Sequence, residues 1–130
     1  MAAQQRPLSP HLTVYKLPLA ARLSILHRGT GVLISLGAFV LACWLTAIAS
    51  GEEEYAAFLA HATSLPGRVL LFAILASFLF HLLTGLRHLF WDIGLGLDMK
   101  STQATSWTVV VLALLGAAVV AWLVFAGAQP

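Results

Sequence analysis

Residues 29–51 read GTGVLISLGAFVLACWLTAIASG and contain no Lys, Arg, Asp or Glu. Two further stretches, 69–86 and 101–130, also lack these four residue types, although the 130-residue chain has seven basic and five acidic residues. The hydrocarbon core of a membrane is about 30 Å thick, and roughly 20 apolar residues of helix cross it. The sequence therefore predicts an all-α membrane protein with three transmembrane helices.

The composition excludes several other classes of protein. Only 9% of the residues are charged, whereas a typical soluble domain has about 25%. A β-barrel is disfavoured because the apolar runs are continuous instead of alternating. A disulfide scaffold is excluded because the chain has one cysteine, Cys43. The basic residues are spread along the chain and form no patch, so we expect no nucleic acid partner.

The basic residues also indicate the topology. Four of them precede residue 29, whereas Glu52, Glu53 and Glu54 follow the first apolar stretch. By the positive-inside rule, the amino terminus is expected in the cytoplasm and the carboxy terminus outside. We expect the membrane itself to be a bacterial cell inner membrane. The second helix then returns inward and reaches the cytoplasmic headgroups at Arg87.

The chain is expected to have two parts. Residues 1–17 contain no pattern typical of a secretory signal and are predicted to be a cytoplasmic arm. Residues 18–130 are predicted to form a transmembrane domain with helices near 18–50, 66–92 and 105–127. Between the first two helices, a short apolar stripe predicts a surface helix; it consists of Tyr55, Phe58, Leu59 and Ala62.

One ionisable residue, His81, lies inside a predicted span. Such a residue is costly to bury in hydrocarbon and is a functional candidate by default. Neutral imidazole is a good iron ligand, and His81 shares a helix face with Thr84, Gly85 and His88. The glycine would leave room for a flat macrocycle against the backbone. A simple interhelical hydrogen bond from His81 is the alternative, and the residues alone leave both interpretations open.

A second axial ligand for such an iron is not evident in this chain. His88 projects from the same helix face as His81, so the two cannot reach opposite sides of one iron. His27 precedes Arg28 at the predicted interface, which places it about 9–10 Å from the depth of His81. If His81 binds a haem with two axial imidazoles, the second is therefore expected from another chain.

The start of the first helix carries a second group of polar residues. Ser24, His27 and Arg28 are three and four residues apart and share a helix face. A hydroxyl and a guanidinium in this position could bind a carbonyl oxygen or pair with the carboxylates of a macrocycle. The alternative is that Arg28 only anchors the topology and Ser24 is a surface hydroxyl.

Three segments of the chain are similar to those of a known family. They are RPLSPHLTVYKL from Arg6, SILHRGTG from Ser24 and HLLTGLRHLFWD from His81. Together they resemble the cytochrome b membrane anchor subunit of succinate dehydrogenase, respiratory complex II. The resemblance covers the arm and the first two helices by motif, and the third helix by hydropathy and position.

This resemblance implies a role for each motif residue. His81, the first histidine of the HxxxGxRH pattern, is implied to be an axial ligand of haem b, with the other ligand supplied by a second small membrane anchor subunit. Ser24 and Arg28 are implied to form part of the ubiquinone site. His27, Arg28 and His88 are implied to contact the haem propionates.

The function implied is that of a subunit of a heteromeric helical bundle in succinate:quinone oxidoreductase. A flavoprotein subunit would oxidise succinate, an iron–sulfur subunit would relay the electrons, and this chain would bind no succinate. Two alternatives stay open. One is a homodimeric b-type cytochrome in which two copies of His81 bind one haem. The other is a cofactor-free anchor in which His81 makes only a packing hydrogen bond.

Overall fold

Every regular element between residues 16 and 126, the part of the chain that this computed structural model describes, is helical. The elements are α1 (Leu19–Ser50), α2 (Glu52–Thr63), α3 (Leu65–Asp92) and α4 (Met99–Ala121), which a π-helical turn (Trp122–Ala126) continues. α1, α3 and the extended α4 are long and apolar enough to cross a membrane. The predicted all-α membrane fold with three spans is confirmed.

The helix boundaries follow from local capping. Ser64 precedes α3, and its hydroxyl accepts a hydrogen bond from the backbone N–H of Gly67 at 3.3 Å. The chain leaves α3 through Gly94, whose φ of 81° is accessible to glycine at little cost. Asp98 caps α4, because its Oδ2 accepts from the Ser101 N–H at 3.0 Å.

The third span begins earlier than expected. The sequence placed its start near residue 105, whereas α4 begins at Met99. The difference arises because hydropathy selects the apolar part of a helix, while the Asp98 cap fixes the first turn, which contains the charged Lys100. The predicted short helix after the first span is α2, with Glu52, Glu53 and Glu54 in its first turn. Carboxylates are favourable there because the amino-terminal end of a helix dipole is positive.

The three long helices pack with α3 between α1 and α4. Glycines allow close approach on both sides of α3. A Cβ at Gly37 of α1 would overlap the Ile74 side chain, and a Cβ at Gly116 of α4 would overlap Leu79. Small residues at these two contacts let the helix backbones approach closely, as is common between membrane helices.

The most buried side chains in residues 16–126 are mainly polar. Leu23 and Val109 are buried, but the other buried residues are Ser77, Thr84, Arg87 and Ser106. Large apolar side chains are exposed along all three spans. This arrangement suits a bilayer, where lipid solvates the apolar surface and the bundle interior shelters the polar groups.

Two expectations fall wholly or partly outside the described residues. The cytoplasmic arm predicted at 1–17 overlaps the described part of the chain only at Lys16 and Leu17, and the predicted end of the third helix at residue 127 lies just beyond it. The side of the membrane on which each terminus lies stays a prediction.

Candidate functional site

His27 of α1 and His81 of α3 meet face to face. Their ring centroids are 3.7 Å apart, and the ring planes are inclined by 17°. The expected difference in depth of about 9–10 Å is therefore wrong. That estimate took Arg28 and Arg87 as markers of one membrane interface, but Arg87 is only 4% exposed and points into the bundle. The packing of α1 on α3 sets the register instead.

The stacked arrangement does not place the two imidazoles as a pair of axial ligands. Such ligands point their ring nitrogens at one iron from opposite sides, whereas these rings lie flat against each other. These two rings can therefore supply at most one axial ligand to an iron.

The hydrogen bonds of His81 define which of its nitrogens is free. Nδ1 lies 3.0 Å from the His27 carbonyl oxygen and 3.2 Å from the Thr30 hydroxyl. A carbonyl oxygen can only accept, so Nδ1 carries the hydrogen. In the neutral ring Nε2 then keeps its lone pair, which is the atom a metal would bind. Gly31 leaves room for the ring, since a Cβ there would lie 3.4 Å from His81 Cε1.

Thr84 joins the histidines to one another. Its hydroxyl oxygen lies 2.6 Å from Nδ1 of His27, and its backbone carbonyl accepts a hydrogen bond from Nδ1 of His88 at 2.7 Å. The side chain is fully buried. The sequence placed Thr84 on the His81 face but assigned it no role, because the spacing on one helix does not reveal what the opposite helix offers.

His88 extends the group of rings toward the end of α3. Its centroid lies 5.2 Å from that of His27 and 5.3 Å from the Trp91 ring, which it meets edge to face. His88 is half-buried and donates from Nδ1 to a carbonyl, so its Nε2 is also left for another partner.

Ser24 and Arg28 lie one helical turn apart on α1, as predicted. Ser24 is half-buried, whereas Arg28 is exposed and its Nε donates to the Ser24 carbonyl at 3.3 Å. The structure thus brings His27, His81 and His88 together and leaves the Arg28 guanidinium on the surface, next to His27 in the sequence.

Arg87 is a buried cation, although the sequence predicted that it would lie at the membrane–water interface. Nη1 donates to the Ser106 hydroxyl at 2.7 Å, and Cζ lies 4.4 Å from the centre of the Trp91 ring. Within residues 16–126, Nε and Nη2 have no hydrogen-bond partner. The sequence signal for this position was weak, because an Arg next to a predicted membrane boundary is ordinarily exposed.

The site suits a metal held mainly by a macrocycle. No group of three or more His, Cys, Asp or Glu side chains in residues 16–126 is placed to bind a metal ion by itself. His81 offers one free nitrogen with its other nitrogen tied to a backbone carbonyl, a common arrangement for metal-ligating histidines. A Cβ at Gly85 would contact nothing within 4 Å, so this face of α3 is open to a flat group. These features fit a haem.

Comparison with known proteins gives the family. The model of the succinate dehydrogenase/fumarate reductase transmembrane subunit family matches residues 2–122. The chain belongs to this family. The resemblance noted in the sequence is therefore confirmed, and with it the assignment to succinate dehydrogenase, cytochrome b, transmembrane proteins and electron transport.

Individual relatives agree over most of the chain. The succinate dehydrogenase cytochrome b556 subunit of Rickettsia felis is 41% identical over 85% of this chain and 86% of its own length. The protein of the same name from Paracoccus denitrificans is 43% identical, with coverage of 85% and 88%. The mitochondrial cytochrome b560 subunit of Mus musculus is 36% identical, with coverage of 87% and 68%. The name cytochrome b implies haem in these relatives.

Proposed function

We propose that the chain is the membrane anchor subunit of a succinate:quinone oxidoreductase and that His81 is one axial ligand of a haem b. The observation that carries this proposal is the hydrogen bond from Nδ1 of His81 to the His27 carbonyl at 3.0 Å. It orients the ring and leaves the Nε2 lone pair for iron. The bound haem would supply a one-electron redox centre.

The second axial ligand comes, in this proposal, from a second small membrane anchor subunit. His27 stacks on the face of His81 and His88 shares its helix, so neither is placed opposite it across an iron. The exposed apolar side chains of the spans suit either lipid or the helices of such a partner. The full assembly would add a flavoprotein subunit and an iron–sulfur subunit.

The residues around His81 could contact the edge of the haem that carries the two propionates. His27 and His88 both hold their Nδ1 atoms in hydrogen bonds inside the chain, so a propionate would meet Nε2 of each ring. A carboxylate oxygen can only accept, so this contact requires an N–H on Nε2 as well, as in an imidazolium. The exposed Arg28 guanidinium can supply a positive charge to the same groups. We propose these three residues as the propionate contacts.

Ubiquinone is the proposed electron acceptor, bound near the start of α1. Ser24 would donate a hydrogen bond to a quinone oxygen, and Arg28 would stabilise negative charge that develops on the ring during reduction. Succinate oxidation belongs to the flavoprotein subunit. We propose that the amino terminus and this site lie on the cytoplasmic side of a bacterial inner membrane, where the iron–sulfur subunit delivers electrons.

The haem assignment is tested in the purified complex with the His81→Ala variant. We expect loss of the haem absorbance in the redox difference spectrum, while His61→Ala leaves it unchanged. His61 is a fitting control because it is exposed on α2 and its side chain bonds only to the Ala57 carbonyl of its own helix. A haem spectrum retained in His81→Ala would overturn the assignment.

Subunit composition of the same preparation tests the two alternatives. Co-purification with three unlike subunits supports the proposal. A complex that contains only copies of this chain would favour the homodimeric cytochrome. A four-subunit complex without haem would favour the cofactor-free anchor.

The quinone assignment is tested separately with Ser24→Ala and Arg28→Ala. We expect quinone reduction to fall while succinate oxidation with an artificial acceptor survives. Arg22→Ala is the control, because Arg22 is also exposed near the start of α1 but donates to the Leu17 carbonyl. Loss of both activities together would count against a quinone site at these residues.

A further inference from the structure

Thr84 is a fully buried threonine at the centre of the histidine cluster. Its Oγ1 lies 2.6 Å from Nδ1 of His27, 2.9 Å from the Phe80 carbonyl oxygen and 3.0 Å from the His81 carbonyl oxygen. Its own carbonyl accepts from Nδ1 of His88 at 2.7 Å. One residue therefore contacts all three histidines of the site.

The direction of these hydrogen bonds follows from the inventory of donors. A hydroxyl has one hydrogen and two lone pairs. The Phe80 and His81 carbonyls can only accept, so the hydroxyl hydrogen of Thr84 points at them. Its lone pair then faces α1 and accepts the N–H of His27 Nδ1. The hydroxyl thus links the His27 ring to the backbone of α3.

The His27 ring in turn limits the orientation of His81. The two rings are stacked with centroids 3.7 Å apart, so rotation of one imidazole about its Cβ–Cγ bond would collide with the other. The second restraint on His81 is the hydrogen bond from its Nδ1 to the His27 carbonyl. These two restraints come from His27, whose side chain the Thr84 hydroxyl holds. The Thr30 hydroxyl, 3.2 Å from Nδ1 of His81, is a further contact from α1.

We propose that Thr84 is a positioning residue for the haem site, which sets the plane of the His81 imidazole through the His27 ring. This inference rests on the proposed function, in which His81 is the axial ligand. It goes beyond that function by assigning the orientation of the ligand to a side chain that need not touch the haem.

The test uses the whole complex carrying Thr84→Val, which removes the hydroxyl and keeps the branched shape. The readouts are the low-field g value of the oxidised low-spin haem in electron paramagnetic resonance and the haem midpoint potential. The g value depends on the angle between the planes of the two axial imidazoles, so it reports ligand orientation directly. We expect haem to be retained, with a shifted and broadened low-field signal and a changed potential.

The chain offers a matched control and a rescue. Thr105 of α4 makes the same two bonds within its helix, to the Ser101 and Thr102 carbonyls at 2.9 and 3.2 Å, and both are backbone acceptors. We expect Thr105→Val to leave the signal unchanged. We expect Thr84→Ser, which keeps the hydroxyl, to resemble the unaltered protein.

A double-mutant cycle isolates the path through His27. His27→Phe keeps a ring for stacking but removes the nitrogen that bonds to Thr84. In that background Thr84→Val should produce no further shift, because the two changes remove the same interaction. Fully additive shifts would overturn the proposed path.

Other outcomes also decide the question. An unchanged g value and potential in Thr84→Val with haem retained would overturn the inference, as would an equal shift in Thr105→Val. Thr84→Val and Thr84→Ala could both lose haem. In that case, normal haem content in Thr84→Ser would support the inference, whereas loss of haem in Thr84→Ser would overturn it. Each of these outcomes differs from failure of the proposed function, which shows as haem retained in His81→Ala.

Discussion

Arg87 on α3 donates a hydrogen bond of 2.7 Å from Nη1 to the hydroxyl of Ser106 on α4. Both side chains are buried. Among the described residues this bond satisfies only Nη1 of the guanidinium, because Nε and Nη2 have no hydrogen-bond partner. When a buried charged group loses a hydrogen bond, the free-energy cost of removing that group from water is no longer offset. The contact therefore couples α3 to α4 near the histidine cluster.

We expect Ser106→Ala to destabilise the chain, because Nη1 of Arg87 would lose its acceptor in a buried setting. The loss is about 1–3 kcal/mol. It is measured as a lower thermal midpoint of helix loss for the purified complex in detergent. Ser35→Ala serves as the control, since the Ser35 hydroxyl is exposed and bonds only to the Gly31 carbonyl of its own helix. Equal midpoints for the two variants would contradict the prediction.

The contact between Gly116 and Leu79 predicts a second effect on stability. Gly116→Ala adds a Cβ that would overlap the Leu79 side chain, so α4 and α3 must separate or Leu79 must change rotamer. Such overpacking costs about 1–3 kcal/mol. The thermal midpoint of the complex should fall.

A second substitution checks the cause of that loss. Leu79→Ala in the Gly116→Ala background removes the overlapping side chain, and we expect it to recover part of the midpoint. Gly29→Ala is the matched control, because a Cβ at Gly29 meets nothing within 4 Å. A Gly29→Ala variant as unstable as Gly116→Ala would point to a general loss at helix glycines.

Gly31 predicts an effect on haem content. A Cβ there would already lie 3.4 Å from Cε1 of His81, so the extra methyl groups of valine would push the imidazole aside. We expect Gly31→Val to lower the ratio of haem to protein in the purified complex. Gly29→Val, two residues earlier on the same helix, should keep the normal ratio of haem to protein. Normal haem in both variants would show that His81 tolerates displacement.

His88 predicts a change in the properties of the haem without its loss. The ring lies 5.2 Å from His27 and bonds to the Thr84 carbonyl, so its removal disturbs the surroundings of His81 but not the His81 ring itself. We expect His88→Ala to shift the redox difference spectrum or the midpoint potential at normal haem content. Complete loss of haem in this variant would make His88 the better candidate for the ligand.

The cap of α4 predicts a pH dependence. Hydrogen bonds from the side chain and from the backbone N–H of Ser101 lower the pKa of the exposed Asp98 carboxyl. A carboxyl whose pKa is lower in the folded state stabilises the fold above its unfolded pKa of about 3.9, and loses that contribution as the pH falls through the folded value.

Hydrogen exchange of the amides in the first turn of α4 checks this prediction. Protection should weaken as the pH is lowered below about 4, after correction for the intrinsic exchange rate. Asp98→Asn can still cap the helix but does not titrate, so its corrected protection should not depend on pH in this range. A pH dependence equal to that of the unaltered chain would assign the effect to another group.

Much of the fold was accessible from the sequence because each span is decided locally. A continuous apolar run must satisfy its own backbone in lipid, and a helix does so without help from distant residues. The same argument explains why the start of α4 was placed too late. Its first turn is polar, and it depends on the Asp98 cap instead of on hydropathy.

The candidate site was only partly accessible. The sequence predicted that residues 81, 84 and 88 share one helix face and that Ser24 and Arg28 lie close together on α1. It did not predict that the His27 ring stacks on the His81 ring or that Arg87 is buried. Both were misplaced because charged residues were taken as markers of depth, although a charge can also be buried against a neighbouring helix.

The amino-acid sequence by itself determined three spanning helices, the family likeness and the residues that we propose for a haem or a quinone site, since these depend on composition and spacing along one helix. Only the tertiary structure decided which nitrogen of His81 is free, and that Thr84 joins the three histidines. The physical reason is that the register of α1 against α3 comes from many weak contacts at sites such as Gly31 and Gly37, where the absence of a side chain lets the other helix approach.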